Sequence, residues 1–481
     1  MLRGFSSKIS LVAVVILFQV LSSISSHAQG NPAEEIVSVN LIQALEKARQ
    51  NYPALKKRIA EKLAAGEDLA SALAEYYPTI GIQTQALFGT SNQVRGPSLG
   101  YDGLLLGSSG SIKTNGFNFQ PTWTSVASTV IDWQAFTFGK KEMDRNLGVA
   151  RQEAIEKTYE QELFEHQIKV ADTYLLALNA RKFVELQERA LRRTEDIVAV
   201  TRANAESGLK AAIDSSLAVA ESTRALLQLM DSQARAKTLE TMLGELIGEA
   251  GKEIELDTMI FFTQLPGNFN FTSSEPNRHP RLQKLEYLQK VKEYEIKRLR
   301  LGVMPEFHLM GSFWGRGSGI KERPDENGDF YISSSLSGLN IRALNYALGA
   351  TLVWHPSRIF QNRRQLAAEK FRYDALRESY NTEYNRVLTE LKNSDIQFNL
   401  AYQTVQKTPL MVNAARQAYA QSLARYENGL ENILLLTQVT DLFIRAETEY
   451  LFSINNFWRT LLMKAAAKGD FDVFLEQIPN Y

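Results

Sequence analysis

Phe117-Asn118-Phe119-Gln120-Pro121-Thr122-Trp123-Thr124-Ser125-Val126-Ala127-Ser128-Thr129-Val130-Ile131-Asp132-Trp133 is the stretch on which the fold turns. Phe117, Phe119, Trp123, Ala127, Ile131 and Trp133 fall on one face of an extended chain, and Asn118, Gln120, Thr122, Thr124, Ser128 and Asp132 on the other. Alternation of apolar and polar residues with aromatic ends is the pattern of a transmembrane β-strand. A half-buried strand of a soluble sheet also alternates. A second stretch has the same character: Leu344, Tyr346, Leu348, Ala350, Leu352 and Trp354 oppose Asn345, Gly349, Thr351 and His355.

Working outward, each of these strands has a partner upstream. Pro78 and Pro305 mark a switch from helix to strand, because proline ends a helix and biases the residue before it toward extended backbone. Ile80, Ile82, Thr84, Ala86 and Phe88 then alternate, as do Phe307, Leu309, Gly311 and Phe313. The strand pairs are expected at 78–90 with 117–133 and at 305–314 with 344–355. Between the strands of each pair, Gly/Ser/Asn-rich stretches from Gly89 to Gly116 and from Gly315 to Asn340 read as long exposed loops. Four strands cannot enclose a lumen, since barrel diameter grows with strand number. Either the sheet is soluble or several chains share one barrel.

The pairs belong to a tandem duplication. Tyr52-Pro53 matches His279-Pro280, Tyr77-Pro78 matches Met304-Pro305, Ile131-Asp132-Trp133 matches Leu352-Val353-Trp354, and Gly208-Leu209 matches Gly429-Leu430, in the same order. The chain divides into a leader, 1–28, a first repeat, 29–265, and a second, 266–481. Each repeat is expected to open with a helix, roughly Val39 to Tyr76 and Arg281 to Val303. After the return strands, about 70 residues from Gly139 to Gly208 contain no proline and would span about 100 Å as one helix. Leu163, Val170, Ala177, Val184, Leu191, Val198 and Ala205 recur every seven residues, as do Tyr384, Leu391, Phe398 and Val405, and Leu436, Phe443, Tyr450 and Phe457. A sustained seven-residue period marks a coiled coil. Gly208 and Gly429 suit helix ends, so each half is expected to hold a hairpin of long helices with its tip at these glycines. Pro409 is expected to kink the second long helix.

Composition bounds the function. Lys plus Arg and Asp plus Glu both number 54, which argues against a nucleic-acid binder. The absence of cysteine excludes disulfides, thiol catalysis, cysteine-ligated zinc and an acylated N-terminal cysteine. Arg3 and Lys8, the apolar run Ile9–Leu21 and the small residues Ser26 and Ala28 form a secretory signal cut before Gln29. No later run is long and apolar enough for a spanning helix, so any membrane passage must use strands. The histidines show no ligand spacing, and no pair of carboxylates stands out as acid and base. No enzyme, cofactor or metal is expected.

The ordered landmarks resemble the TolC family of outer membrane efflux proteins over essentially the whole mature chain. The resemblance implies a mainly α chain with a small β part. Four strands per chain would complete a twelve-strand barrel in a homotrimer, held in the lipid of the Gram-negative outer membrane by faces bearing Phe117, Phe119, Trp123, Trp133, Tyr346 and Trp354. Long coiled-coil helices would form a periplasmic tunnel docking on a periplasmic adaptor (membrane fusion) protein and an inner-membrane RND, ABC or similar pump. The function implied is that of a passive conduit in tripartite efflux or type I secretion. The implied tip and gate residues are Gly208, Asp214, Gly429, Glu431, Leu435 and Gln438. Where the family often places two aspartates, this chain has Leu435 and Gln438, so a hydrophobic closure is expected in place of an acidic ring. The competing readings are a periplasmic coiled-coil scaffold without a pore, and a secreted enzyme on a helical stalk.

Overall fold

The computed structural model describes residues 36–89, 97–99, 105–107, 121–207, 211–256, 260–263, 276–319, 326 and 336–478. The leader, Phe117, Phe119 and Gly208 lie outside them. In chain order the elements are β1 (Ile36–Val39), α1 (Leu41–Asn51), α2 (Pro53–Ala74), β2 (Thr79–Gly89), β3 (Pro97–Leu99), β4 (Leu105–Gly107) and β5 (Thr122–Phe136). Then follow α3 (Lys140–Glu206), α4 (Ala212–Leu246), β6 (Glu253–Leu256), α5 (Ile260–Thr263), α6 (Pro280–Leu301) and β7 (Glu306–Ser318). The chain ends with β8 (Ala343–Val353), α7 (Arg358–Glu427), α8 (Ile433–Lys468) and α9 (Asp472–Leu475). The protein is mainly α with a small β part.

Local chemistry sets several boundaries. Asn40 caps α1 in a reciprocal box: its Oδ1 accepts from the Gln43 N–H at 2.8 Å, and its own N–H donates to Gln43 Oε1 at 3.1 Å. The single first helix expected from Val39 to Tyr76 is in fact a strand end and two helices. Tyr52 is extended, at φ −66° and ψ 121°, because Pro53 follows it. Pro409 lies inside α7, yet the helix continues through it to Glu427. Proline withholds the N–H that would reach the Val405 carbonyl, and the Thr408 hydroxyl donates to that carbonyl instead, at 3.4 Å. Thr408 Oγ1 also lies 3.0 Å from Ser453 Oγ of α8.

Three sheets are present among the described residues. β1 pairs in parallel with β6, a link between distant parts of the first half that the sequence reading did not anticipate. β3 and β4 form a small antiparallel pair within the first expected loop. The main sheet is antiparallel throughout, in the order β2-β5-β7-β8. The helices repeat that order: α2, which leads into β2, packs on α3, which follows β5; α3 packs on α6, and α6 on α7. Four strands thus continue into four helices. Further along, α4 folds back on α3 and α8 on α7, and α3 with α8 joins the two hairpins.

α3 has 67 residues and α7 has 70, each about 100 Å long at 1.5 Å per residue. Of the heptad positions, Val170, Ala177, Val184, Phe398, Val405, Leu436, Phe443 and Phe457 are buried, and Leu163, Leu191, Val198, Tyr384, Leu391 and Tyr450 are half-buried. The largest core lies at mid-length, where Tyr174, Phe457, Trp458 and Phe474 are enclosed by α1, β1, β6 and α9.

The strand before the second expected loop runs four residues further than expected, to Ser318. Gly315, Arg316, Gly317 and Ser318 are the last four residues of β7, and Gly315 and Gly317 are buried. Glycine in a strand marks close approach by another backbone, not only a turn.

Candidate channel and periplasmic tip

The register of the main sheet sorts its side chains into two faces. Ile80, Ile131, Gly311 and Leu348 are successive cross-strand partners, as are Ile82, Thr129, Phe313 and Tyr346. Their face is apolar and open to the surroundings: Ile82 is 80% exposed, Tyr346 79% and Leu348 83%. At one end it carries Phe88 and Trp123, with ring centroids 5.1 Å apart. At the helical end it carries Trp133 and Phe136. Aromatic girdles at both ends of an apolar band are the signature of a membrane-spanning sheet. The eleven residues of β8, at about 3.4 Å each and tilted about 40°, span close to the ~25 Å band of such barrels.

The opposite face holds Gln83, Gln85, Thr124, Ser128, Asp132, Ser312, Asn345 and Thr351, with Val130 and Met310 among them. Near the helical end, His308 Nδ1 lies 3.0 Å from Asp132 Oδ1. Around a lumen this face would offer a mostly uncharged, hydrogen-bonding wall.

The junction of strands and helices is built twice. Trp133 donates its indole N–H to the Tyr76 carbonyl at 3.2 Å, and Trp354 donates its own to the Val303 carbonyl at 3.1 Å. Each carbonyl lies two residues before the strand-entry proline, Pro78 or Pro305. Trp354 stands just past the end of β8 and is 56% exposed. An indole with one wet end and one apolar body suits a membrane boundary.

At the far end of the helices the second tip is described in full. Gly429 sits at φ +74°, its N–H donates to the Tyr426 carbonyl at 3.0 Å, and the Leu430 N–H donates to the Arg425 carbonyl at 2.9 Å. This is a Schellman closure, which requires a residue tolerant of positive φ. Asn432 then caps α8, its Oδ1 accepting from the Leu435 N–H at 2.9 Å. The Glu431 side chain turns inward and is only 6% exposed. It accepts from Ser422 Oγ at 3.0 Å and pairs with Arg425 Nε at 3.3 Å.

The two tips meet in one apolar cluster: Ile197 of α3, Ala218 of α4, Tyr426 of α7, and Ile433 and Leu436 of α8. Asp214, in the first turn of α4, stands beside the fully buried Tyr426. Burial and the Asp214 charge together push the Tyr426 phenol above its ordinary pKa. Further up, Arg193 of α3 pairs with Glu447 of α8 at 2.5 Å, with both side chains more than four-fifths buried. The Arg193 guanidinium also lies 4.6 Å from the Phe443 ring centroid. Arg459 of α8 grips Asp172 of α3 through two bonds, at 2.6 and 3.1 Å.

A family model described as outer membrane efflux protein matches residues 44–249 and 273–452. The chain belongs to this family. Among solved structures it is similar to CusC (13% identity, TM-score 0.72, covering 89% of this chain and 92% of that one). It is also similar to the outer membrane protein VceC of Vibrio cholerae (15% identity, TM-score 0.67, 90% and 96% covered). A third is the open state of the MtrE outer membrane channel of Neisseria gonorrhoeae (14% identity, TM-score 0.66, 90% and 89% covered). No curated protein sequence matches the chain. At these identities the structural likeness speaks for the fold, a TolC-like one, and the family match for an outer membrane efflux protein.

In this efflux protein the expected lipid-facing residues Trp123, Trp133 and Tyr346 share the apolar face, and Trp354 borders it. Of the expected tip residues, Gly429 forms the closure, Leu435 is 46% exposed and Gln438 is exposed, while Glu431 is folded into the tip. Asp214 is half-buried against the other hairpin. Sequence reasoning missed Tyr426, Arg193 and Glu447. Tyr426 stands three residues before the tip glycine, and a large aromatic there was the available signal. The Arg193–Glu447 pair joins distant residues and has no local signature.

Proposed function

We propose that three copies of this efflux protein form one outer membrane channel whose helices make a periplasmic tunnel. The observation that carries this is the pair of free sheet edges. β2 and β8 run in opposite directions, so β8 of one copy meets β2 of the next antiparallel, and the ladder continues without a break. Two copies would give eight strands, whose interior side chains alone would fill; three give twelve and a lumen. The flanks below agree with such a ring. Ile59 and Leu63 on α2 are exposed, as are Phe360, Phe371 and Leu400 on α7, although helices of this length need covered apolar seams. A scaffold without a pore leaves both the edges and the exposed face around Leu348 unaccounted for.

The channel serves as the passive outer component of a tripartite efflux or type I secretion system. A periplasmic adaptor and an inner-membrane pump meet it at the tips near Gly208 and Gly429. The tunnel closes there on apolar side chains: Leu434, Leu435 and Leu442 are all exposed within the first turns of α8.

Sizing of the detergent-solubilised protein is expected to give the mass of three chains, and bilayer recording discrete conductance steps. A monodisperse monomer without conductance would sink the channel reading. For closure, Leu435→Ala is expected to raise the closed-state conductance; an unchanged value would remove Leu435 from the gate. Cross-linking from cysteines placed at Gly208 and Gly429, followed by identification of the captured protein, tests the docking site.

A further inference from the structure

One segment of the apolar sheet face is not strand. Leu336–Leu339 forms a single 3-10 turn, and the chain runs on through Asn340 and Ile341 into β8. This segment crosses the outside of the sheet instead of leaving its end. Ser125, on the same face as Ile131, donates its hydroxyl to the Gly338 and Leu339 carbonyls, at 3.0 and 3.1 Å. The Gly319 N–H donates to the Trp123 carbonyl at 2.8 Å, and the Arg342 N–H to the Arg316 carbonyl at 2.8 Å.

The strands beneath it are cut away to receive it. A Cβ on Gly315 would stand 2.8 Å from Ile341 Cγ2. A Cβ on Gly317 would collide with the Asn340 and Gly338 carbonyl oxygens and with Ser125 Oγ. The run of glycines that resembles a loop in the sequence is therefore the seat of a strap laid over β5 and β7.

The strap is two-sided. The carbonyls of Gly338 and Leu339 both turn inward to share the one hydroxyl proton of Ser125. Its surface away from the sheet carries Leu336, 66% exposed, and Leu339, 37%, while Ile341 rests on Gly315 and leaves half its area, 50%, open. A loop destined for water has no need to satisfy its carbonyls against the barrel or to turn leucines outward. One destined for lipid must do the first and gains by the second. The strap lies over the two inner strands of the sheet, so a neighbouring copy joining at β2 or β8 does not cover it. It continues the apolar surface of Phe313, Leu344 and Tyr346 without interruption.

We propose that Leu336–Ile341 is a lipid-docking strap, seated on Gly315 and Gly317, that buries Leu336, Leu339 and Ile341 among acyl chains at the outer rim of the membrane. The inference rests on the reading that this sheet face meets lipid. It makes the strap an anchoring element that thickens the apolar girdle at one height, as an interfacial segment does.

The chain has no cysteine, so single-cysteine spin labelling needs no background removal. The full mature protein carrying Leu336→Cys, Leu339→Cys or Ile341→Cys would be labelled and reconstituted in phosphatidylethanolamine/phosphatidylglycerol vesicles. Collision rates with oxygen and with a water-soluble nickel chelate would then be compared. Leu348→Cys, on the middle of the sheet face, and Leu430→Cys, at the tip, serve as references. Strap labels are expected to favour oxygen, as at Leu348, with a ratio several-fold above that at Leu430. Labels that match Leu430 place the strap in water and overturn the proposal. Labels shielded from both reagents mean that protein covers it, and also overturn it. If Leu348 itself matches Leu430, the membrane-facing reading of the sheet has failed, and not only the strap. Gly317→Val is expected to drive the Leu339 label toward the nickel chelate while leaving Leu348 in lipid. A Leu339 label unchanged by that substitution would refute the seat.

Discussion

The two halves of the chain agree where the strands meet the helices and disagree at the tips. Trp133 and Trp354 make the same bond to the same kind of carbonyl. Six residues past the tip glycine, the first half has Asp214 and the second has Leu435. The junction repeats because each strand pair gives way to its helices at one level, and the two indoles bind the chain there in the same way. The tips need not repeat, because each faces a different neighbour. Asp214 stands against Tyr426 of the other hairpin, whereas Leu435 faces outward. The second tip is also stitched by side chains, through Asn432, Ser422, Arg425 and Glu431. The α4 start shows no side-chain cap at Ala211. The lesson is that duplication fixes the membrane end, while the difference between the copies supplies the contacts between hairpins.

The hardest way to break that comparison is to cut the tie between hairpins. Arg193→Ala leaves Glu447 buried without its partner and uncovers the Phe443 ring. A loss of about 3 kcal/mol is expected, since an uncompensated charge remains inside. Chemical denaturation of the purified assembly measures it, and Arg193→Ala/Glu447→Ala together should recover part of the loss. A change below about 1 kcal/mol would mean that the pair is solvated and the hairpins are held by packing alone.

The comparison sharpens at the matched dipeptides Tyr52-Pro53 and His279-Pro280. Tyr52 caps no helix through its side chain and instead stacks on His166, with centroids 3.8 Å apart. His279 caps α6: its Nδ1 accepts from the Arg281 N–H at 3.2 Å, and its Nε2–H donates to the Ala466 carbonyl at 3.1 Å. Burial, helped by the Arg281 charge, lowers its pKa to about 4. A depressed pKa means that the folded state resists the proton. The contribution is whole above the unfolded value near 6.5 and is lost as pH falls toward about 4. A loss of about 3 kcal/mol is expected across that window. His279→Asn keeps the cap and should remove most of this pH dependence, leaving the share of His166, whose pKa burial also lowers. An unchanged pH profile would exclude His279.

The strand faces were legible in the sequence because lipid on one side and water on the other force a period of two. The long helices were legible because seven-residue seams persist over many turns. What escaped were features made by distant residues or by compensation. The β1–β6 pair joins segments far apart in the first half. Glu431 reads as a tip charge but is neutralised by Arg425 and turned inward. The glycines of β7 read as loop because the strap that fills their space is itself remote. The Thr408 bond at Pro409 escaped because a hydroxyl one residue before a proline carries no sign in the sequence that it will donate to the carbonyl the proline leaves without an N–H.

That compensation yields the next test. α3 has no proline at its corresponding level, so only the second hairpin depends on a threonine. Thr408→Val keeps the volume but leaves the Val405 carbonyl without its donor and Ser453 without its neighbour. A loss of about 1–2 kcal/mol in denaturation is expected. Thr408→Ser should recover most of it; failure to do so would show that the methyl group matters and the hydroxyl does not.

The smallest effect probes the likeness itself. Trp133→Phe and Trp354→Phe each remove one indole N–H bond and little apolar area, so each should cost about 1 kcal/mol. Because the two bonds are built alike, the costs should be equal within a few tenths of a kcal/mol and additive, the sites being on different strands. Trp133 is the less exposed of the two, at 40% against 56% for Trp354. If exposure controls the energy, Trp133→Phe should therefore cost more. If the shared geometry controls it, the two should match. A large excess at either site would mean that the junction, like the tips, has diverged between the halves, and that the level at which strands give way to helices is set by one half alone.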